Sequence, residues 1–214
     1  MIISVLNIKG GVGKSTTSTN VAVGLSQVYD KVLLIDTDNN GSSSATHWGG
    51  LRSQDLPSPV VIQQLNPELL KKQIKTLAAD YDVIIIDGSP HVETMTTVSV
   101  MLSDLVIIPV QPSPFDFWAT KEKIIPIIEN AKEYRTDLTA MYLLNCVDPR
   151  TSMSKDIEEA LQGDVKSFQT KIHVRNTYRE VACLGLTAFE SKNKKAKQEV
   201  TELVDEILEL IKGM

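Results

Sequence analysis

Two cysteines, Cys146 and Cys183, are all the chain contains, and they form no CxxC pair. A zinc ribbon or a disulfide scaffold is therefore not expected. Aromatic residues are few: two Trp, five Tyr and four Phe. They are not interleaved with basic residues, so no stacking platform for single-stranded nucleic acid is expected. No apolar run approaches the roughly 20 residues that span a bilayer. The opening MIISVLNIKGG has a short apolar run with no basic stretch before it, which is not a signal peptide. The expected compartment is the cytoplasm. An excess of positive charge is lacking too. Lys and Arg number 22 against 27 Asp and Glu, a formal net charge of −5. That excludes a uniformly basic nucleic-acid binder but not a local basic patch.

What is present is an ordinary globular composition, 42% hydrophobic and 23% charged over 214 residues. Against about 150 residues per domain, a single domain over 1–214 is expected. Short β-rich apolar runs recur at Ile2–Leu6, Val32–Ile35, Val83–Ile86, Leu105–Val110 and Met141–Leu144, with a weaker one at Thr170–Val174. Most are continuous rather than alternating, as in strands covered on both faces of a parallel sheet. Helical spacing fills the intervals at Ser15–Val28, Pro67–Ala79, Glu93–Leu102, Phe117–Lys132, Ser154–Leu161 and Lys195–Lys212. The alternation predicts an α/β fold: a doubly wound, mostly parallel sheet with helices on both faces. In the last helix Val200, Leu203, Val204, Ile207, Leu208 and Ile211 share one face, which packs on the sheet. Asn39–Pro59 reads as a long loop on the active-site side.

The first strand runs into Lys9-Gly10-Gly11-Val12-Gly13-Lys14-Ser15-Thr16 and then a helix. Glycines let backbone N–H groups approach phosphate oxygens, and the helix N-terminus adds its positive dipole end. Lys14 suits the β- and γ-phosphates and the Ser15 hydroxyl suits Mg²⁺. Strand two ends in Asp36-Thr37-Asp38, and the run Val83–Ile86 ends in Asp87. Carboxylates at strand C-termini face the ligand crevice of a parallel sheet. Asp87 is expected to hold Mg²⁺ through water. Asn145, after the fifth strong run, is a candidate to hydrogen-bond adenine. The rigid segment Pro109-Val110-Gln111-Pro112-Ser113-Pro114-Phe115-Asp116 follows another strand. Late in the chain Lys192, Lys194, Lys195 and Lys197 cluster, with Arg175 and Arg179 upstream.

The general phosphate-loop pattern begins with glycine, but Ile8 stands at that position and Lys9 is added. K-G-G-V-G-K-S resembles the deviant Walker A box of the ParA/MinD group of P-loop ATPases. The V-Q-P-S-P segment is close to that of plasmid and chromosome partition members. The resemblance spans nearly the whole chain, and leaves no room for an N-terminal helix-turn-helix extension. It implies ATP and Mg²⁺ as cofactors and a homodimer formed with ATP, with Lys9 acting in trans on the partner's nucleotide. It implies that Asp38 positions or polarises the attacking water and that Asp36 lies near Mg²⁺. It further implies that Arg175, Arg179, Lys192, Lys194 and Lys195 bind duplex DNA without sequence preference, as in a nucleoid-associated protein. A stimulating adaptor of ParB type is implied as well. The chain departs from the family at Asn39-Asn40, where Pro-Gln is common, and at Gly88-Ser89-Pro90, which replaces D-x-P-P.

Two other readings use the same scaffold. A MinD-like membrane-cycling ATPase needs a C-terminal amphipathic helix with a basic face, whereas the last helix carries Glu199, Glu202, Asp205, Glu206 and Glu209. A nitrogenase-iron-protein-like reductase needs cluster cysteines, and Cys146 and Cys183 lie in no matching motif. A biotin-pathway ligase has no use for the late lysines.

Overall fold

Ile, Val and Leu at consecutive positions can be buried on both sides of a strand only if both sheet faces are covered, and that is what the chain does. The computed structural model describes residues 1–38, 44–90, 93–151, 153–161, 163 and 165–214. Its strands are β1 (Ile2–Val5), β2 (Val32–Asp36), β3 (Val60–Gln63), β4 (Val83–Asp87), β5 (Leu105–Val110), β6 (Thr139–Leu144) and β7 (Lys166–Ser167). Its helices are α1 (Lys14–Leu25), α2 (Ser44–Leu51), α3 (Pro67–Asp80), α4 (Glu93–Leu102), α5 (Pro114–Lys132), α6 (Met153–Ala160), α7 (Asn176–Ala182) and α8 (Lys194–Gly213). The strands form one parallel sheet in the order β3-β2-β4-β1-β5-β6-β7.

Residue parity decides which face each strand residue enters. Ile3, Leu34, Ile85, Ile107 and Leu143 cluster with Val21 of α1, Trp48 of α2, and Leu203 and Ile207 of α8. Leu33, Ile35, Ile84 and Ile86 turn the other way, onto Leu70 and Ile74 of α3 and Met95 of α4. Val106, Ile108, Tyr142 and Leu144 meet Ile124 and Ile128 of α5 and Ile157 of α6. Burying each such side chain is worth about 1.5–3 kcal/mol, so the doubly covered sheet supplies the main driving force. Helices α1 and α8 cross closely because residue 24 is glycine. A Cβ there would meet Val204 Cγ2 at 2.5 Å.

The apolar face of α8 is thus spent in the core: Val200, Leu203, Val204 and Ile207 are all buried. No helix among the described residues is long and apolar enough to cross a membrane. The acidic residues expected along the outside of this helix divide. Glu202, Asp205 and Glu209 are exposed, whereas Glu199 is buried and Glu206 turns back to accept hydrogen bonds from Gln169 N, Thr170 N and Thr170 Oγ1.

Three local expectations are corrected. The loop predicted at Asn39–Pro59 contains α2 over Ser44–Leu51. Ala45 and Trp48 anchor it in the core against the weak helix preference of Gly49-Gly50. A strand missing from the sequence reading, β3, pairs with β2 at the sheet edge. The weak strand expected at Thr170–Val174 reduces to one isolated bridge, Val147 with His173. Ile172 N and Val174 N still donate to Leu144 O and Val147 O, whereas Thr170 N and His173 N turn to the α8 carboxylates of Glu206 and Glu199. The proposed departure at Asn39-Asn40 lies outside the described residues.

Candidate functional site

A crevice of about 560 Å³ opens at the C-terminal ends of β1, β2 and β4. Gly10, Gly11, Gly13, Lys14, Ser15 and Thr16 form one wall, Asp38, Gly88 and Pro90 another, and Trp48, Tyr178, Arg179 and Ala182 close the side. Six of the eight loop residues expected to hold nucleotide are therefore at the cavity. Lys9 and Val12 do not line it, and Val12 is buried.

The loop is held from behind. Lys14 Nζ donates to Lys9 O at 2.7 Å, Gln111 Nε2 to Gly11 O at 2.8 Å and Asn145 Nδ2 to Val12 O at 2.7 Å. Three carbonyls are thus occupied and cannot point at an anion in the crevice. Gly13 stands at φ 91° as the residue before α1, where an L side chain is strained. A Cβ there would also fall 2.0 Å from Asn145 Nδ2. Asn145, the residue expected at adenine, braces the loop with its amide, while its Oδ1 accepts from Cys146 N. The V-Q-P-S-P segment acts on the same loop through Gln111, a role the sequence signalled only as rigidity.

Charge is concentrated at the crevice floor. Lys14 is buried, which pushes its ammonium pKa down, while the Asp87 and Asp38 charges oppose the shift. Asp87 closes β4 and is fully enclosed. Burial pushes its carboxyl up to about 7, against hydrogen bonds from Ser15 and Ser18. Ser18 Oγ donates to it at 2.8 Å. Asp36, its register partner on β2, is also fully buried. Asp38 is half-buried, with Ser89 Oγ 3.3 Å from Oδ1. A buried carboxylate beside a serine hydroxyl is a hard-oxygen donor set, the chemistry that suits Mg²⁺. Lys9 is engaged within its own chain, its ammonium 3.3 Å from Asp116 in the first turn of α5.

The five late basic residues do not form one group. Arg179 lines the crevice with the phosphate loop, and Lys192, Lys194 and Lys195 do not. These three lysines are exposed, at and just before the start of α8. Arg175 is tied to Glu199 by both Nε and Nη2. Glu199 also accepts from His173 Nδ1 at 2.9 Å and Tyr178 Oη at 2.9 Å. Burial pushes the Glu199 carboxyl up, but hydrogen bonds from Arg175 and Tyr178 outweigh it and hold the pKa below the usual value. Burial and the Glu199 charge together push the Tyr178 phenol far up. Glu199→Ala leaves a half-buried guanidinium without its carboxylate, so we expect a loss of about 3 kcal/mol. Urea denaturation of the variant measures it. An unchanged midpoint with an unchanged slope would remove this cluster from the stability of the fold.

The model of the CobQ/CobB/MinD/ParA nucleotide binding domain matches residues 3–207. The chain belongs to that family. A curated member, the maintenance of carboxysome distribution protein A of Halothiobacillus neapolitanus, is 29% identical over 212 residues, covering 96% of this chain and 95% of its own. The apo structure of McdA from Cyanothece superposes with a TM-score of 0.80 at 19% identity, over 97% of this chain and 99% of that one. Cobyrinic acid a,c-diamide synthase of Mycobacterium smegmatis, solved with an ATP analogue and magnesium, gives 0.78 at 20% identity, over 97% and 94%. The doubly wound fold is thus shared with a positioning protein and with a metabolic enzyme. The family was legible in the loop, since Lys9 and Lys14 flank its glycines.

Proposed function

We propose that this family member is a single-domain, ParA-type ATPase over 1–214. It dimerises on ATP, binds duplex DNA without sequence preference, and positions or partitions a cargo until hydrolysis releases it. The observation that carries the reading is the glycine loop and Lys14 facing Asp38 across one crevice, with the buried Asp87 held behind it by Ser18. ATP and Mg²⁺ suit that crevice: the loop amides and Lys14 bind the phosphates, and the Ser15 hydroxyl with Asp87 holds the ion. The ion, when bound, neutralises charge on the β- and γ-phosphates. Asp38 orients the attacking water. Lys9 leaves Asp116 to reach the partner's nucleotide. Gly10, Gly11, Val12, Gly13 and Thr16 shape the cradle, with Asn145 as its brace. Arg179 belongs with the nucleotide on this reading, not with DNA.

The lysines supply the DNA contact. Lys194 and Lys195 sit in the first turn of α8, which carries no acidic residue. Cations at a helix N-terminus oppose its dipole, at about 0.3–1 kcal/mol each, so their placement costs stability and favours an anion outside. Arg175 serves the patch only by anchoring α8 through Glu199. One subunit offers few phosphate contacts, whereas a dimer offers two linked sets. The relative from Halothiobacillus favours a protein body over a plasmid or chromosome as cargo. A ParB-type adaptor, or its counterpart on such a body, supplies stimulation, and the location is the cytoplasm on the nucleoid.

Sedimentation with ATP against ADP tests the reading: a dimer is expected with ATP alone, and a monomer in both sinks it. The Lys194→Glu, Lys195→Glu double variant is expected to dimerise on ATP yet lose retention on random-sequence duplex at moderate salt by at least 10-fold, since each reversed charge removes a phosphate contact. Wild-type retention would refute the patch.

A further inference from the structure

The carboxylate of Asp36 is completely buried at the end of β2, beside Asp87, where the reading above would leave it near the metal. Its oxygens are committed otherwise. Oδ1 accepts from Asp38 N at 3.0 Å. Oδ2 accepts from Thr46 N and from Thr46 Oγ1, both at 2.9 Å. One carboxylate therefore fixes two pieces of backbone that the chain separates by eight positions. One is the peptide of the residue expected to orient water. The other is an amide in the first turn of α2, a turn whose N–H groups have no partner inside the helix. A charged acceptor there is doubly favoured, by the charge-assisted bond and by the helix dipole.

The rest of the surroundings share the same purpose. Gln63 Nε2 donates to Asp38 O at 3.3 Å from β3, and Thr37 is held to Asp87 by its amide and its hydroxyl, at 3.1 and 2.7 Å. The Asp38 amide is thus held by Asp36 of β2 and its carbonyl by Gln63 of β3, next to a Thr37 fixed to β4. The bond from Thr46 to Asp36 is distinctive, because α2 also contributes Ser44 and Trp48 to the crevice wall. That wall and the Asp38 amide are thus joined through one buried side chain, Asp36.

We propose that Asp36 and Thr46 are positioning residues for hydrolysis, which register α2 to the Asp38 carboxylate, and that Asp36 is not a magnesium ligand. This rests on the ATPase reading. A carboxylate misplaced by about 1 Å is expected to cost up to 100-fold in turnover, while phosphate binding, which uses the β1 loop, is left alone.

The test is a set of variants of the full chain. Thr46→Val keeps the volume and the backbone N–H but deletes the hydroxyl donor; Thr46→Ser keeps the donor. ATP affinity, steady-state turnover and the Mg²⁺ midpoint for ATP-analogue binding are measured for each and for Asp36→Asn, alongside the wild type. Expected are a turnover lowered about 10-fold or more in Thr46→Val, ATP affinity within twofold, rescue by Thr46→Ser, and an unshifted Mg²⁺ midpoint in Asp36→Asn. Wild-type turnover in Thr46→Val overturns the proposal. So does a raised Mg²⁺ midpoint in Asp36→Asn, which marks a metal ligand. Failure of the wild type itself to hydrolyse ATP overturns the underlying reading, and is distinguished by that control.

Discussion

Lys14→Ala is expected to lose ATP affinity by about 100-fold or more. A charge-assisted hydrogen bond contributes roughly 1.5–3 kcal/mol, and each 1.4 kcal/mol is tenfold in affinity. Lys14 lines the crevice from a buried position, where its charge is poorly screened by solvent. The same burial makes the ammonium costly to keep without ligand, and pushes its pKa down even though Asp87 and Asp38 pull it up. The apo protein should therefore lose little stability when the charge is removed. Lys14→Met, which keeps most of the side-chain volume, separates the charge from the cavity that alanine leaves. Calorimetric titration with ATP and thermal shifts with and without nucleotide read both halves. The expected pattern is a near-normal apo melting temperature and no stabilisation by ATP. Normal ATP affinity in either variant would remove the loop from nucleotide binding.

The parts of this site visible in the sequence share one property: they are local. Lys9 to Thr16 is a contiguous motif between a strand and a helix, and Asp36, Asp38 and Asp87 each follow an apolar run, so strand-end geometry brings them together. The fold was legible for the same reason, because runs such as Val83–Ile86 need two covered faces. What escaped was non-local or concealed by composition. Asn145 lies 133 positions from the Val12 carbonyl that it binds. Arg175 and Glu199 look like two solvated charges until α7 meets α8. Helix α2 was hidden by serines and glycines, although Ala45, Trp48 and Leu51 sit three apart and could have signalled it. Arg175, Arg179 and the three lysines look alike in a charge count. Packing gives them a carboxylate partner, a crevice and solvent respectively.

Asp38→Ala separates binding from chemistry. The Asp38 carboxylate lines the crevice and, with Asp87, acts electrostatically on Lys14, yet the phosphate cradle is built from the β1 loop and α1. Removing it deletes one negative charge from a pocket meant for a polyanion, so ATP affinity should hold or rise. Turnover should fall by about 100-fold or more, the usual contribution of a positioned group that orients or accepts a proton. The backbone at residue 38 should stay in place, because Asp36 grips its amide and Gln63 its carbonyl, and neither bond uses the lost side chain. The variant should therefore dimerise on ATP and remain dimeric, and its DNA retention should persist long after wild-type protein has let go. Single-turnover hydrolysis, sedimentation and dissociation from duplex DNA follow these steps separately. Wild-type turnover would take Asp38 out of the mechanism. Loss of ATP binding would mean instead that this carboxylate shapes the pocket, and that hydrolysis is governed from elsewhere in the crevice.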